Sequence, residues 1–439
     1  MALDPHPLWH SFRALRHRNF RLFLGGQFIS LVGTWMQSVA LGWLLYRLTH
    51  SPFLLGLAGF LTQIPSLAFS PLAGVLVDRW NRHRMVIGTQ ALAMVQAFGL
   101  AALVLSGHEA IVPILLLNLL LGIANAADVP ARQSFMIEMV ASSDDLPNAI
   151  ALNSSIFNLA RLVGPSLAGP LIAFFGEGKV FFLNGLSYLA VIAALLAIRP
   201  PGRPRPRGPQ PEVWTHLKEG LAYVSRFAPI RAVLLLLAAV SLVGTPNTVL
   251  LPVFAKDVLH GDAHTYGFLV GAIGVGALVG ALYMASRRTV VGLGRVIVLS
   301  VSLFGASLVA LSLCRREWLA VPALCVAGFG MMVQMASSNT IMQTLVDSEK
   351  RGRVMSFYAV AFMGSAPLGA LFLGATASRF GAPWTAFLSG LFCLAAAAAF
   401  ARKLPALRAE VRPLYARMGV IAEVAEGLRV GAEAEAAQR

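Results

Sequence analysis

Charge is scarce in this chain. Only 13% of its 439 residues are Asp, Glu, Lys or Arg, about half the share of a soluble globular domain. That excludes an ordinary water-soluble fold. Cysteine is scarce too. Cys314, Cys325 and Cys393 are scattered among apolar neighbours, which excludes a disulfide framework and a cysteine metal centre. No lysine-tipped phosphate loop is present, so ATP is not read as an energy source. Gly271, Gly274 and Gly276 have no strand before them, so they are not a dinucleotide loop. With Gly280 they read as small-residue helix packing. No Ser/His/Asp set, metal cluster or pair of catalytic carboxylates is legible. The expectation is a non-enzyme without metal or organic cofactor. The N-terminal segment lacks an apolar stretch followed by a small-residue cleavage site, so no cleaved leader is expected.

What the chain does have is apolar length. It is 57% hydrophobic, and Leu/Ala/Val/Gly runs of roughly 20 residues recur, the length a helix needs to cross a bilayer. They show no two-residue alternation, which argues for helices over a barrel. Six runs fall near 20–46, 53–77, 85–106, 111–136, 149–175 and 180–198. Six more fall near 231–255, 265–286, 293–313, 318–341, 353–378 and 383–401. The stretch from Arg199 to Pro211 is rich in proline and arginine, so it reads as an extended linker. Residues 212–227 read as a short amphipathic surface helix. The expected organisation is a six-helix bundle over 1–198, a linker over 199–230, a second bundle over 231–403 and a helical tail over 404–439.

The basic excess has a side. With the N-terminus inside, 28 of the 35 Lys and Arg fall in inside loops and tails and six in outside loops, leaving Arg161 in a span. This is the positive-inside pattern, so both termini are expected in the cytoplasm of a multi-pass inner-membrane protein. The net charge of +15 then faces anionic lipid, and nucleic acid is not an expected partner.

The halves repeat. Ser30-Leu31-Val32-Gly33-Thr34 recurs as Ser241-Leu242-Val243-Gly244-Thr245, and the same offset of 211 places Gly56 on Gly267 and Arg84 on Arg295. Copies of like topology are related by an axis along the membrane normal. The turn after the second run carries Gly74, Asp78, Arg79, Arg82 and Arg84. That order of glycine, aspartate, arginine and basic pair resembles the loop between helices two and three of the major facilitator superfamily. Asn81 stands where that family has a glycine, and Thr289 stands where the second copy would carry an aspartate. Arg161 with Gly164, Pro165 and Gly169 is similar to the glycine-proline motif of the superfamily's exporters. The wording from Phe12 to Phe20 and from Leu31 to Trp35 resembles the branch of enterobactin exporters and macrolide efflux proteins. The resemblance implies the major facilitator fold and an export activity.

Candidate site residues follow. Asp78 with Arg79, Arg82 and Arg84, beside Gly74, reads as a cytoplasmic gate whose contacts close one face and break when it opens. Arg161 lies mid-span, and Asp128 on the preceding run is its candidate partner in substrate or proton coupling. Asp128 is equally placed to pair with Arg132 one turn on. Both pairings stay open. Gly164, Pro165 and Gly169 read as a helix-bend motif. The spans that line the cavity by resemblance make Trp35, Gln37, Asn125, Phe157, Asn247, Gln334 and Asn339 the cavity candidates. His17 and His83 read as solvated. The expected function is export of a small amphiphile, siderophore-like or drug-like, by proton antiport with alternating access, in a monomer that meets substrate and lipid. The rival readings are a lipid or lysophospholipid flippase and a non-transporting membrane sensor or scaffold.

Overall fold

The computed structural model describes residues 12–140, 143–198, 221–287, 289–346 and 348–417; within these, the side chains at 70–79, 143, 348, 349, 351–353 and 417 are outside the described set. Every regular element among the described residues is helical, and twelve helices are long and apolar enough to cross a membrane. They are α1 (Arg18–Thr49), α2 (Pro52–Arg79), α3 (Arg82–Leu105), α4 (Ile111–Met139), α5 (Leu146–Phe175) and α6 (Glu177–Ala197) in the first half. In the second half they are α7 (Ala228–Val258), α8 (Ala263–Ser286), α9 (Leu293–Leu313), α10 (Glu317–Leu345), α11 (Val354–Phe380) and α12 (Ala382–Arg417).

Short turns make sequence neighbours antiparallel, and local chemistry ends each helix. His50 leaves α1 in the left-handed region (φ 47°) with its N–H on the Tyr46 carbonyl, and Pro52 then opens α2 where no amide donor is needed. Asn81, the departure from the family glycine, caps α3 by accepting from the Arg84 amide at 3.1 Å. Asp262 caps α8 by accepting from the amides of His264 and Thr265 at 2.9 and 3.2 Å.

The repeat is carried into packing. In the first half α2 packs on α4, α3 on α4, and α3 on α6; in the second, α8 packs on α10, α9 on α10, and α9 on α12. The matched glycines hold matching places: Gly33 faces Asn184 and Ser187 of α6, and Gly244 faces Phe304 of α9 and Cys393 of α12. The halves meet along two equivalent crossings, α2 on α11 and α8 on α5. A Cβ on Gly374 would lie 2.9 Å from the Gly56 Cα, and a Cβ on Gly267 would lie 2.7 Å from the Gly169 Cα. The glycines therefore set the distance between the halves, because backbone meets backbone there.

One asymmetry is local. α1 is regular, but α7 is interrupted by π turns at Val240–Gly244 and Phe254–Val258, and α11 by one at Val360–Gly364. Pro246 and Pro252 supply the cause in α7, since each removes a backbone donor from the ladder. The linker over 199–220 lies outside the described residues; of the expected surface helix, 221–226 is described and helical. The expected boundary between bundle and tail at 403/404 falls inside the last helix. The last helix continues unbroken to Arg417 with Pro405 and Pro413 inside it.

Candidate functional site

Five helices from both halves enclose the largest cavity described, about 500 Å³. α1 contributes Thr34, Trp35, Gln37 and Ser38, α2 contributes Gln63, and α4 contributes Asn118 and Asn125. α7 contributes Thr248 and Pro252, and α8 contributes Tyr266 and Val270. The volume lies within the ~300–1,000 Å³ of small-molecule pockets. None of the residues described as lining it carries a charge.

Three of the seven cavity candidates, Trp35, Gln37 and Asn125, line this space. Phe157 stands behind Trp35, edge to face, with ring centroids 5.9 Å apart. Asn247 is directed into the second half. Its amide donates to the carbonyls of Val243 and Gly244, beside the apolar space around Phe304 and Met331. Gln334 is buried and Asn339 accepts from the Gln343 amide at 3.2 Å; neither belongs to the described lining. Thr34, Ser38 and Tyr266 are lining residues that sequence reasoning missed. The first two had a signal, since 34, 37, 38, 41 and 45 follow the helical period on one face of α1.

Gln37 is committed on both sides. Its Nε2 donates to Gln96 Oε1 at 2.9 Å and its Oε1 accepts from Asn184 Nδ2 at 2.8 Å, tying α1 to α3 and α6. Thr34 Oγ1 donates to the Ser30 carbonyl at 2.8 Å and lies 3.2 Å from the Tyr188 hydroxyl, which must therefore be the donor between them. Thr34 and Gln37 thus form the cavity edge of a buried polar seam through the first half.

Asp128 belongs to the same interior. It is 4% exposed. One carboxylate oxygen accepts from Thr89 Oγ1 and Gln90 Nε2, both at 2.8 Å, and the other lies 3.4 Å from Arg132 Nε. Of the two pairings left open by the sequence, Asp128 takes Arg132. Arg161 has no carboxylate partner among the described residues. Its guanidinium carbon instead lies 5.7 Å from the centroid of the Trp35 ring. A charge at mid-span costs roughly 2.5–3.5 kcal/mol on insertion scales. A cation–π contact offsets part of that, about 0.5–2 kcal/mol, and leaves the charge in place.

Gly164 and Gly169 act on opposite sides of α5. A Cβ on Gly164 would lie 2.5 Å from the Trp35 Cβ on α1, whereas Gly169 lies against Gly267 of α8 in the other half. The Pro165 carbonyl is 3.1 Å from the Cβ position of Gly267, so Pro165 and Gly169 belong to the crossing surface between the halves.

Two ends of the bundle can be distinguished. The face that carries the α1–α2 and α7–α8 turns is joined across the halves. The Tyr46 hydroxyl donates to Asp257, and the Phe53 amide donates to Ser378 Oγ at 2.9 Å. Trp43 stacks on Tyr266 at 6.3 Å and takes the Lys256 ammonium on its other contact at 5.6 Å. At the face that carries the linker, the gate candidates divide. The side chains of Gly74, Asp78 and Arg79 lie outside the described set. Arg84 is exposed, and Arg82 pairs with Glu138 of its own half. Two histidines expected in solvent are bonded instead: His83 to the Leu195 carbonyl at 2.8 Å and His17 to Asp145 at 2.9 Å. Arg13 and Arg16 join the latter at 3.2 and 3.5 Å, pinning the N-terminal arm to the start of α5. This bond to His17, with the two guanidinium charges, holds the Asp145 carboxyl below its ordinary value.

A twelve-helix bundle of two repeated halves around a shared cavity is a membrane transporter of the major facilitator type. The chain belongs to the transmembrane secretion effector family of that superfamily, whose model matches residues 10–423. It is 23% identical to the staphyloferrin A transporter of Staphylococcus aureus, over 84% of this chain and 92% of that protein. It is 22% identical to macrolide efflux protein A of Streptococcus pyogenes, over 86% and 94%. The enterobactin exporter EntS of Citrobacter koseri is 27% identical over 82% and 85%. Among solved structures, the nucleoside transporter NupG superposes with a TM-score of 0.69 at 13% identity, covering 88% of this chain and 98% of that one. The protein is thus an efflux-type transporter, not an enzyme.

Proposed function

We propose that the protein exports a siderophore-like or drug-like amphiphile from the cytoplasm across the bacterial inner membrane, driven by proton entry and using alternating access. The observation that carries this reading is the uncharged cavity built by both halves and latched across one face by Tyr46–Asp257 and the Gly56–Gly374 crossing. A site shared by two rigid bodies changes its access when one rocks against the other. With the linker face in the cytoplasm, as the basic loops argue, the latched face is the outer one. The cavity is then held in the state that loads from inside. Export requires those outer contacts to break while the linker-face gate, from Gly74 to Arg84, forms.

Asp128 is the proposed proton carrier. It is a buried carboxylate whose partner, Arg132, lies on the same helix. Protonation there releases Arg132, and the seam through Tyr188, Thr34 and Gln37 lies between that change and the cavity wall. Names of the relatives support a siderophore or drug as cargo. A resident cofactor is not part of the proposal, and a single chain suffices.

Everted membrane vesicles carrying a pH-sensitive dye test the reading. After energisation, one compound from a panel of siderophores, macrolides and other amphiphiles is expected to dissipate the gradient with wild type. Asp128→Asn is expected to lose at least ~10-fold of that proton movement while still exchanging labelled compound across the membrane. Transport of compound by wild type without proton movement would remove antiport and leave export. A panel in which nothing crosses would remove export.

A further inference from the structure

Arg161 poses a charge-balance problem inside the bundle. It sits 15 residues after the first residue of α5, about 22 Å along the helix from its linker-face end at 1.5 Å per residue. The acids that could answer it at that depth are taken. Asp128 is bonded to Thr89, Gln90 and Arg132, and Asp257 accepts from Tyr46 near the latched face. The other described acids lie at or near helix ends, among them Glu109 and Glu177 on Arg47 and Glu138 on Arg82. Arg161 rests on an aromatic face, which attracts a cation without neutralising it.

That aromatic face belongs to the cavity. Trp35 is a lining residue, Gly164 lets α5 approach α1 at the Trp35 Cβ, and Phe157 braces its ring from the side. The charge that rests on a lining side chain here, that of Arg161 on Trp35, is therefore positive. No lining residue offers a carboxylate to a cationic compound. The uncharged lining supplies amides and hydroxyls from Asn125, Ser38 and Thr248, and apolar area from Tyr266.

We infer that the exported compound is an anion, an amphiphile bearing a carboxylate or phenolate, and that Arg161 beside Trp35 receives its negative oxygen. The guanidinium fork matches a carboxylate in two parallel hydrogen bonds, and burial strengthens them. The apolar body of the compound occupies the space between Trp35 and Tyr266. An empty cavity leaves Arg161 uncompensated; a loaded one supplies the missing charge. Cargo and protein then neutralise each other within the membrane, which disfavours a cationic cargo in the same place. This inference rests on the export reading for its direction of transport, but not for its binding step.

The test uses the purified full-length protein in lipid nanodiscs and a matched pair of probes, 1-naphthoate and 1-naphthamide. They share one skeleton and differ in charge. Equilibrium dialysis reads their affinities for wild type, Arg161→Lys and Arg161→Gln. Wild type is expected to bind the acid at least ~10-fold more tightly than the amide, the size of one charge-assisted hydrogen bond. Arg161→Lys keeps part of that ratio and Arg161→Gln brings it to about one. The amide's own affinity reports whether the Gln variant keeps an intact cavity. Equal binding of acid and amide by wild type overturns the inference, as does a ratio that survives in Arg161→Gln with the amide still bound. If the ratio behaves as expected while no panel compound crosses in vesicles, the anion site stands and export falls. If compounds are exported with no preference for the acid, export stands and the anion site falls.

Discussion

At the scale of single residues, pairing is decided by distance along the helix and by what the neighbouring helix presents. Asp128 lies one turn from Arg132, and α3 brings Thr89 and Gln90 to the same carboxylate. Arg161 is on the adjacent helix in sequence, yet α5 packs on α1 and α8, so its neighbour is Trp35. Asp145 offers a pH-dependent contact outside the spans. Its carboxyl value is lowered in the folded protein, first through the His17 bond. A carboxyl so depressed lends stability above its unfolded value, near pH 4. That contribution is lost as pH falls through the lower folded value. The N-terminal arm is therefore expected to stay docked at neutral pH and to detach in acid below about pH 4. A fluorophore on the arm, read against pH, checks this; Asp145→Asn should release the arm at neutral pH.

At the scale of elements, the two crossings carry the mechanics. α2 meets α11 through Gly56 and Gly374, where an added methyl would lie 2.7 Å from the Pro52 carbonyl oxygen. Backbone cannot yield there as a flexible side chain would. Gly374→Ala is expected to hold the latched face apart and cut export by ~10-fold or more, a ΔΔG of about 1.4 kcal/mol or above. Reagent access to a cysteine placed at Ser378 should rise in parallel. Gly25 is the control, since a Cβ there meets nothing within 4 Å. Gly25→Ala should leave transport unchanged and stabilise α1 by roughly 0.5–1 kcal/mol, the helix cost of glycine relative to alanine. Unchanged transport in Gly374→Ala would show that the latched face need not close. The π turns of α7 flank the cavity residue Thr248 and include Asp257, so the latch partner sits on the least regular helix of the bundle.

At the scale of the molecule, orientation is expected to follow from the placement of basic residues. A reporter at the C-terminus is expected to fluoresce as a cytoplasmic green fluorescent protein and to be inactive as an alkaline phosphatase fusion; the reverse result would invert the assignment of faces. Sequence by itself determined the number of spans, the six-plus-six division and the repeat, because hydrocarbon admits backbone only as helices of a set length. It also determined the family, through the Gly74–Arg84 turn and the Arg161–Gly169 motif. It marked Gly56 and Gly267 as equivalent, and these became the two crossings between halves. Tertiary structure alone decided which polar residues face the cavity. Amides in an apolar helix look alike in sequence, yet Gln37 and Asn125 line the cavity while Asn247 bonds back to its own helix. It alone separated Asp128 from Arg161, for the physical reason that buried charges choose partners by the rotation of helices about their axes. Helical periodicity defines that rotation only within each helix, and packing sets it between them.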